Sequence, residues 1–195
     1  MVRVLRLLAA IALLAASPQF ALAQDQAPGA TQEVPSPATQ PGDPFGEEVT
    51  LTPKTLVMLK GTATWDRAYE TLVDAFKTIQ DYLDKEGLKA IGPGMTIYTS
   101  TEDTGFNFQA GIPVAEAPAK KPEGELSIGT SPEGRALRFT HRGSYDAMDT
   151  TYDAITNHLD EKRLEARDMF IEEYETDLVT TPDDQLVVHV IVPLK

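Results

Sequence analysis

The sequence predicts an α+β fold: a duplicated strand-helix-strand-strand unit, with an antiparallel-rich sheet, two helices on one face and a groove between the halves. Three observations predict it. Two helical stretches, 65–86 and 144–164, each follow one strand pattern and precede two more. Each half closes on a similar tripeptide, Ile112-Pro113-Val114 and Val192-Pro193-Leu194. Landmarks between these points also recur in one order. Lys60-Gly61 matches Arg142-Gly143, Leu83-Asp84-Lys85-Glu86 matches Leu159-Asp160-Glu161-Lys162, and Met95-Thr96-Ile97 matches Met169-Phe170-Ile171. Recurrence of this kind reads as internal duplication, with pseudo-repeats at about 52–114 and 135–195.

The folded part begins near Glu47, and 49–61 holds two strand patterns interrupted by Pro53. The first helix places Trp65, Ala68, Leu72, Ala75, Phe76, Ile79 and Leu83 at spacings of three and four, hence on one face, and Gly87 stops it. Residues 95–98 form a strand, 100–105 a polar turn and 106–114 a second strand. The Pro-, Ala- and Lys-rich stretch 115–123 reads as a crossover loop. In the second half, 135–142 alternates as a strand, and the helix carries Tyr145, Met148, Tyr152, Ile155 and Leu159 on one face. Strands at 169–174 and 186–192 follow, separated by a turn at 180–184.

Ahead of this domain, Arg3 and Arg6 precede an apolar run at 7–16, a break at Pro18 and the small-x-small triplet Ala21-Leu22-Ala23. That order is the secretory signal pattern, with cleavage expected between Ala23 and Gln24. The run is shorter than the roughly 20 residues a membrane span needs. Residues 24–46, rich in Pro, Gln, Ala, Gly and Thr, read as a flexible linker. The expected location is therefore periplasmic or secreted, without stable membrane insertion of the mature chain.

The sequence has no cysteine, which excludes disulfides, thiolate nucleophiles and cysteine metal sites. Its formal charge is −13, from 17 Lys and Arg against 30 Asp and Glu. No basic cluster remains after the signal, which argues against nucleic acid as a partner.

Three stretches of the second half carry a family resemblance: Phe139-Thr140-His141-Arg142-Gly143-Ser144-Tyr145, Ile171-Glu172-Glu173-Tyr174-Glu175-Thr176-Asp177 and Val188-His189-Val190-Ile191-Val192-Pro193-Leu194. On them the domain resembles the GyrI-like small-molecule-binding domains, the effector-binding domains of AraC- and MerR-type regulators. Phe106-Asn107-Phe108-Gln109-Ala110-Gly111-Ile112-Pro113-Val114 is the similar stretch of the first half. The resemblance implies a groove between the halves that binds apolar or cationic organic molecules, commonly against an acidic residue in the last strand. Relatives also include hydrolases of electrophilic small molecules and modules that act on proteins. The chain departs from the family pattern four residues before each closing proline. His189 stands where the glutamate is expected, and Gln109 holds the first-half position. No helix-turn-helix segment accompanies the domain, so a regulator role does not follow.

Six residues are the candidate ligand-binding set: His189 and Gln109 to fix orientation, and Tyr98, Tyr145, Tyr174 and Trp65 to supply aromatic area with polar tips. Strand alternation puts Val187, His189 and Ile191 on one face. In the cluster Glu172, Glu173 and Glu175 one glutamate could replace the missing strand carboxylate, but a charged run reads first as a solvated face, with Glu172 and Tyr174 on the side opposite Glu173 and Glu175. No metal-ligand spacing and no G-x-S-x-G elbow occurs, so neither a metal nor another cofactor is expected. The reading is a binding protein for a partly apolar organic ligand rather than an enzyme. The alternatives are a hydrolase with His189 as base, or a protein-interaction module with a closed groove.

Overall fold

The structure, a computed structural model, describes residues 42–195. The expected signal peptide, 1–23, and most of the expected linker, 24–46, lie outside the described residues. Eight strands and two helices follow in the order β1 (Phe45–Leu51), β2 (Thr55–Thr64), α1 (Ala68–Glu86), β3 (Met95–Glu102), β4 (Gly105–Pro113), β5 (Leu126–Thr130), β6 (Gly134–Arg142), α2 (Met148–Lys162), β7 (Phe170–Tyr174) and β8 (Val187–Pro193). Single 3-10 turns, Trp65–Arg67 and Tyr145–Ala147, lead into the helices. The fold is thus the α+β duplication expected, β2-α1-β3-β4 and β6-α2-β7-β8, with β1 and β5 added.

All eight strands form one antiparallel sheet in the order β1-β6-β8-β7-β3-β4-β2-β5. The halves meet where β7 pairs with β3, and β1 and β5 flank them symmetrically. Both helices pack on one face, where Leu72, Phe76, Ile79, Met148 and Ile155 meet Val57, Phe108, Phe139, Val188 and Val190. On the other face Leu56, Met58, Ile97, Ile171 and Ile191 form a second, smaller core.

The second core is buried because the sheet curls. In a flat sheet β1 and β2 would stand six strand spacings apart, about 29 Å. Residues 52–54 join them and reach at most about 14 Å. The sheet therefore bends toward the face away from the helices. Lys54, in this link, pairs with Glu173 of the central strand at 3.3 Å. The backbone of Lys54 is tied to Ser131, in the equally short link from β5 to β6.

The structure revises three local expectations. The polar turn shrinks to Asp103-Thr104, because Thr99 to Glu102 continue β3 along the exposed start of β4. A short edge strand, β5, forms where no element was expected. Two sequence landmarks also shift. Leu56 pairs with Pro113 as Ala136 pairs with Pro193, so Lys60 corresponds to Thr140 and not to Arg142. From helix to central strand the offset between halves stays at 76 residues, from Leu83 and Leu159 through the equivalent bridges at Ala90 and Ala166. Met95-Thr96-Ile97 therefore corresponds to Ile171-Glu172-Glu173, not to Met169-Phe170-Ile171. The sheet register agrees, since Met95 pairs with Glu173 and Ile97 with Ile171. The pseudo-twofold axis passes through the pair between them, Thr96 and Glu172, and relates Tyr98 to Tyr174.

Candidate functional site

At this axis, under the helices, lies the most polar group of the interior. Glu172 is 1% exposed. Its Oε2 accepts hydrogen bonds from Tyr98 at 2.8 Å, Tyr145 at 2.9 Å and Tyr174 at 2.9 Å. Its Oε1 accepts from Tyr152 at 2.6 Å. The Tyr98 and Tyr145 hydroxyls are also 2.7 Å apart, and Tyr174 reaches Thr96 Oγ1 at 2.9 Å. No Lys or Arg among the described residues bonds this carboxyl.

The protonation state follows from counting protons. Six contacts must be filled: four from phenols to Glu172, one between Tyr98 and Tyr145, and one between Tyr174 and Thr96. The four phenols and Thr96 bring one hydroxyl proton each, one too few when the carboxylate is ionised. A neutral carboxyl brings the missing proton and donates in one of its four phenol contacts, which frees that phenol to serve a neighbouring hydroxyl. Burial acts in the same direction and raises the Glu172 pKa, while the phenol hydrogen bonds pull it down. The four phenols are themselves pushed well above their usual pKa, first by burial and then by the Glu172 charge. They remain neutral donors.

Each partner is positioned by its own element. Tyr98 sits in β3, just before a register shift, and its ring stacks on Phe170 with centroids 4.3 Å apart. Tyr174 ends β7 and meets Phe76 of α1 edge-on. Tyr145 opens the turn before α2, and Asp183 holds that turn by accepting from Tyr145 N at 2.9 Å and from the Ser144 hydroxyl. His141 braces the same junction. Its Nδ1 lies 2.7 Å from Thr151 Oγ1 and its Nε2 3.1 Å from the Ser144 carbonyl. With Nε2 donating to the carbonyl, Nδ1 accepts from Thr151, the neutral tautomer, and burial lowers the His141 pKa accordingly. Tyr69 of α1 stands 5.6 Å from Tyr145, ring to ring, and these half-buried rings face each other across the axis.

The six residues singled out in the sequence fall into three groups. Tyr98, Tyr145 and Tyr174 converge on Glu172. Trp65 lies one ring away: it packs on Phe106, which packs on Tyr98, and its Nε1 donates to the Glu102 carbonyl at 2.9 Å. His189 and Gln109 are on the other side of the sheet. His189 pairs with Thr140 and Glu173, Gln109 with Lys60 and Ile97, all on the face away from the helices. His189 Nδ1 is buried there without a hydrogen-bond partner among the described residues.

The acidic cluster differs from its expected solvated face. Glu175 is exposed and Glu173 half-buried against Lys54, but Glu172 is inside. Sequence reasoning set Glu172 aside as part of a solvated face and missed Tyr152 and Tyr69 as site residues. The available signal was the alternation that sets Glu172 beside Tyr174, together with the repeat offset that makes Tyr174 the counterpart of Tyr98.

The twofold α+β fold is that of a class of small-molecule-binding domains. The chain belongs to the GyrI-like family, the GyrI-like small molecule binding domain, which it matches over residues 47–195. No curated protein matches this chain. Among solved structures, the EcmrR C-terminal domain superposes with a TM-score of 0.66 at 13% identity, over 78% of this chain and 98% of that one. In the EcmrR–DNA complex the chain spans 57% of EcmrR, and the match covers 77% of this chain at 13% identity with a TM-score of 0.67. A hydrolase from Listeria innocua superposes at 0.56 with 12% identity, over 78% of this chain and 93% of that one. SAV2435, solved with tetraphenylphosphonium bound, superposes at 0.54 with 14% identity, over 77% and 94% of the two chains. At these identities the likeness establishes the fold.

Proposed function

We propose that this is an exported binding protein that holds a partly apolar organic cation at the pseudo-twofold axis, against Glu172. The observation that carries the reading is a fully buried carboxyl with four phenol donors and no cationic side chain. Burying such a group stabilises nothing by itself, since a buried charge is costly unless paired. A ligand cation supplies the missing partner, and the aromatic walls supply area and cation–π attraction. Tyr98, Tyr145, Tyr152 and Tyr174 line the site, and Trp65 extends its aromatic wall. Tyr145 and Tyr69 swing aside to admit the ligand. The tetraphenylphosphonium complex of SAV2435 supports this ligand class. The signal pattern of residues 1–23 supports export. Among the described residues no helix is long and apolar enough to cross a membrane.

The test is calorimetric titration with tetraphenylphosphonium, using triphenylphosphine oxide as a neutral comparison. Glu172→Gln should weaken cation binding by about 3 kcal/mol, roughly a hundredfold, and leave the neutral compound unaffected. The pH dependence has a definite sign. Between the usual carboxylate pKa and its raised folded value, the free protein holds Glu172 neutral while the cation complex needs it ionised. Binding then releases a proton, so affinity climbs with pH and levels off above the raised value. In the same window the folded chain binds more protons than the unfolded one, and stability falls as pH rises. Glu172→Gln should remove both slopes. Equal binding by wild type and variant would rule the reading out.

A further inference from the structure

A cleft of about 440 Å³ lies off the axis, between the C-terminal half of α1 and the segment 174–179. We propose that it is a second ligand site, for a small aromatic cation. Its volume falls in the range of small-molecule pockets. Leu83, Leu88, Ile112 and Leu178 give it an apolar floor, and Phe76 and Tyr174 an aromatic wall. Asp84 and Glu175 stand at the rim, exposed and without an ion pair among the described residues. Asp177, also in the lining, is committed to its own loop and to Gln80. Among the described residues no Lys or Arg lines the cleft.

The pseudo-symmetry shows what belongs there. Under the 76-residue offset Gly94 corresponds to Phe170, Phe76 to Tyr152, and Tyr174 to Tyr98. In the second half the Phe170 ring lies flat on Tyr98, at 4.3 Å and 18°, and edge-on to Tyr152 at 5.0 Å. It fills the space between those two rings. In the first half Gly94 brings no ring, and Phe76 and Tyr174 touch directly at 5.3 Å. Phe76 leans so far over Gly94 that a Cβ there would come within 2.8 Å of its ring. The room left beyond them, against Gly92-Pro93-Gly94, is the cleft. One half carries its own aromatic plug, and the other carries an opening of matching character with carboxylates at its mouth. A ligand ring would sit beyond the Phe76–Tyr174 contact, against Tyr174 and the Gly92-Pro93-Gly94 backbone, with its cationic group meeting Asp84 and Glu175.

Tyr174 belongs to both sites, with its ring in the cleft and its hydroxyl on Glu172. The cleft does not depend on the axial reading, and one experiment separates them. Benzyltrimethylammonium is titrated into the full chain and followed by 1H–15N NMR, with the tertiary butyl analogue neopentylbenzene as the uncharged control. The expected result is saturable shifts at the amides of Gly92, Gly94, Leu178 and Val179 that persist in Glu172→Gln. In the double variant Asp84→Asn, Glu175→Gln, whose exposed substitutions leave the Tm unchanged, the affinity should fall several-fold. The neutral control should bind wild type and double variant alike. Shifts confined to the Glu172 surroundings and lost in Glu172→Gln would overturn the proposal. So would a double variant that titrates like wild type, or the absence of saturation at the cleft amides.

Discussion

At the twofold axis the first half presents Thr96 and the second presents Glu172, directly opposite each other in the central strand pair. Around them the halves place the same kinds of side chain: Tyr98 against Tyr174, Tyr69 against Tyr145, and Phe76 against Tyr152. The second half thus puts a phenol where the first has a phenyl, and a carboxyl where the first has a hydroxyl. Duplication supplied a symmetric cage, and the departures from symmetry supplied its charge. The difference teaches that the site is a property of the axis rather than of either half. Chemistry placed on one side is served by donors from both.

The largest effect should come from moving the carboxyl across the axis. Glu172→Thr alone should lose cation binding by about 3 kcal/mol. Adding Thr96→Glu should recover much of it, because symmetry gives a glutamate at 96 three of its four phenols, from Tyr174, Tyr98 and Tyr69. The fourth neighbour would be Phe76, and Phe76→Tyr should restore the remainder. Tetraphenylphosphonium titrations of the three variants decide it. If the transplanted carboxyl gives no recovery, the two sides of the axis are not interchangeable and the site belongs to the second half alone.

How much of this was legible in the sequence depended on the range of the interaction. The helices, most strands and the duplication were legible because periodicity and closing prolines are local signals. The curl of the sheet was not, since it follows from which strands end up at opposite edges, a long-range fact. Glu172 lay between those cases. Alternation already set it beside Tyr174 and away from Glu173, but charge in a cluster Glu-Glu-x-Glu suggests solvent. Only the four tyrosines, drawn from β3, β7 and α2, make its burial tolerable. His189 drew attention through its place in an apolar strand. The same alternation sends it, with Gln109, to the concave face, where Glu173 and Thr140 are its cross-strand neighbours.

A second contrast, Phe170 against Gly94, should have a smaller effect, read in stability. Phe170→Ala removes a half-buried ring that touches Tyr98 and Tyr152. We expect a loss of about 2 kcal/mol, below the range for fully buried phenylalanines. The same change should open in the second half a cleft like that of the first. Chemical denaturation gives the energy, and new benzyltrimethylammonium shifts near Ala166 and Val192 would report the opening. A loss of stability with no new binding would mean that Tyr152 closes the vacated space completely, where Phe76 leaves room beyond its contact with Tyr174.

The smallest effect lies where the helices end. Both halves leave their helix through a left-handed residue, Gly87 at φ 67° after α1 and Arg163 at φ 54° after α2. Both ends are closed the same way, with Leu88 N on the Leu83 carbonyl and Leu164 N on the Leu159 carbonyl, each at 2.9 Å. Glycine adopts this conformation freely, while a side chain pays a steric penalty there. Arg163 is exposed and, among the described residues, makes no side-chain hydrogen bond or ion pair that would offset its strain. Arg163→Gly should therefore stabilise the domain by about 0.5–1 kcal/mol, and Gly87→Arg should destabilise it by a similar amount. Thermal melts of the two variants test the symmetry at its most local level. If the two shifts differ in size, the caps are not equivalent, and the imbalance measures how far the halves have diverged where no ligand is involved.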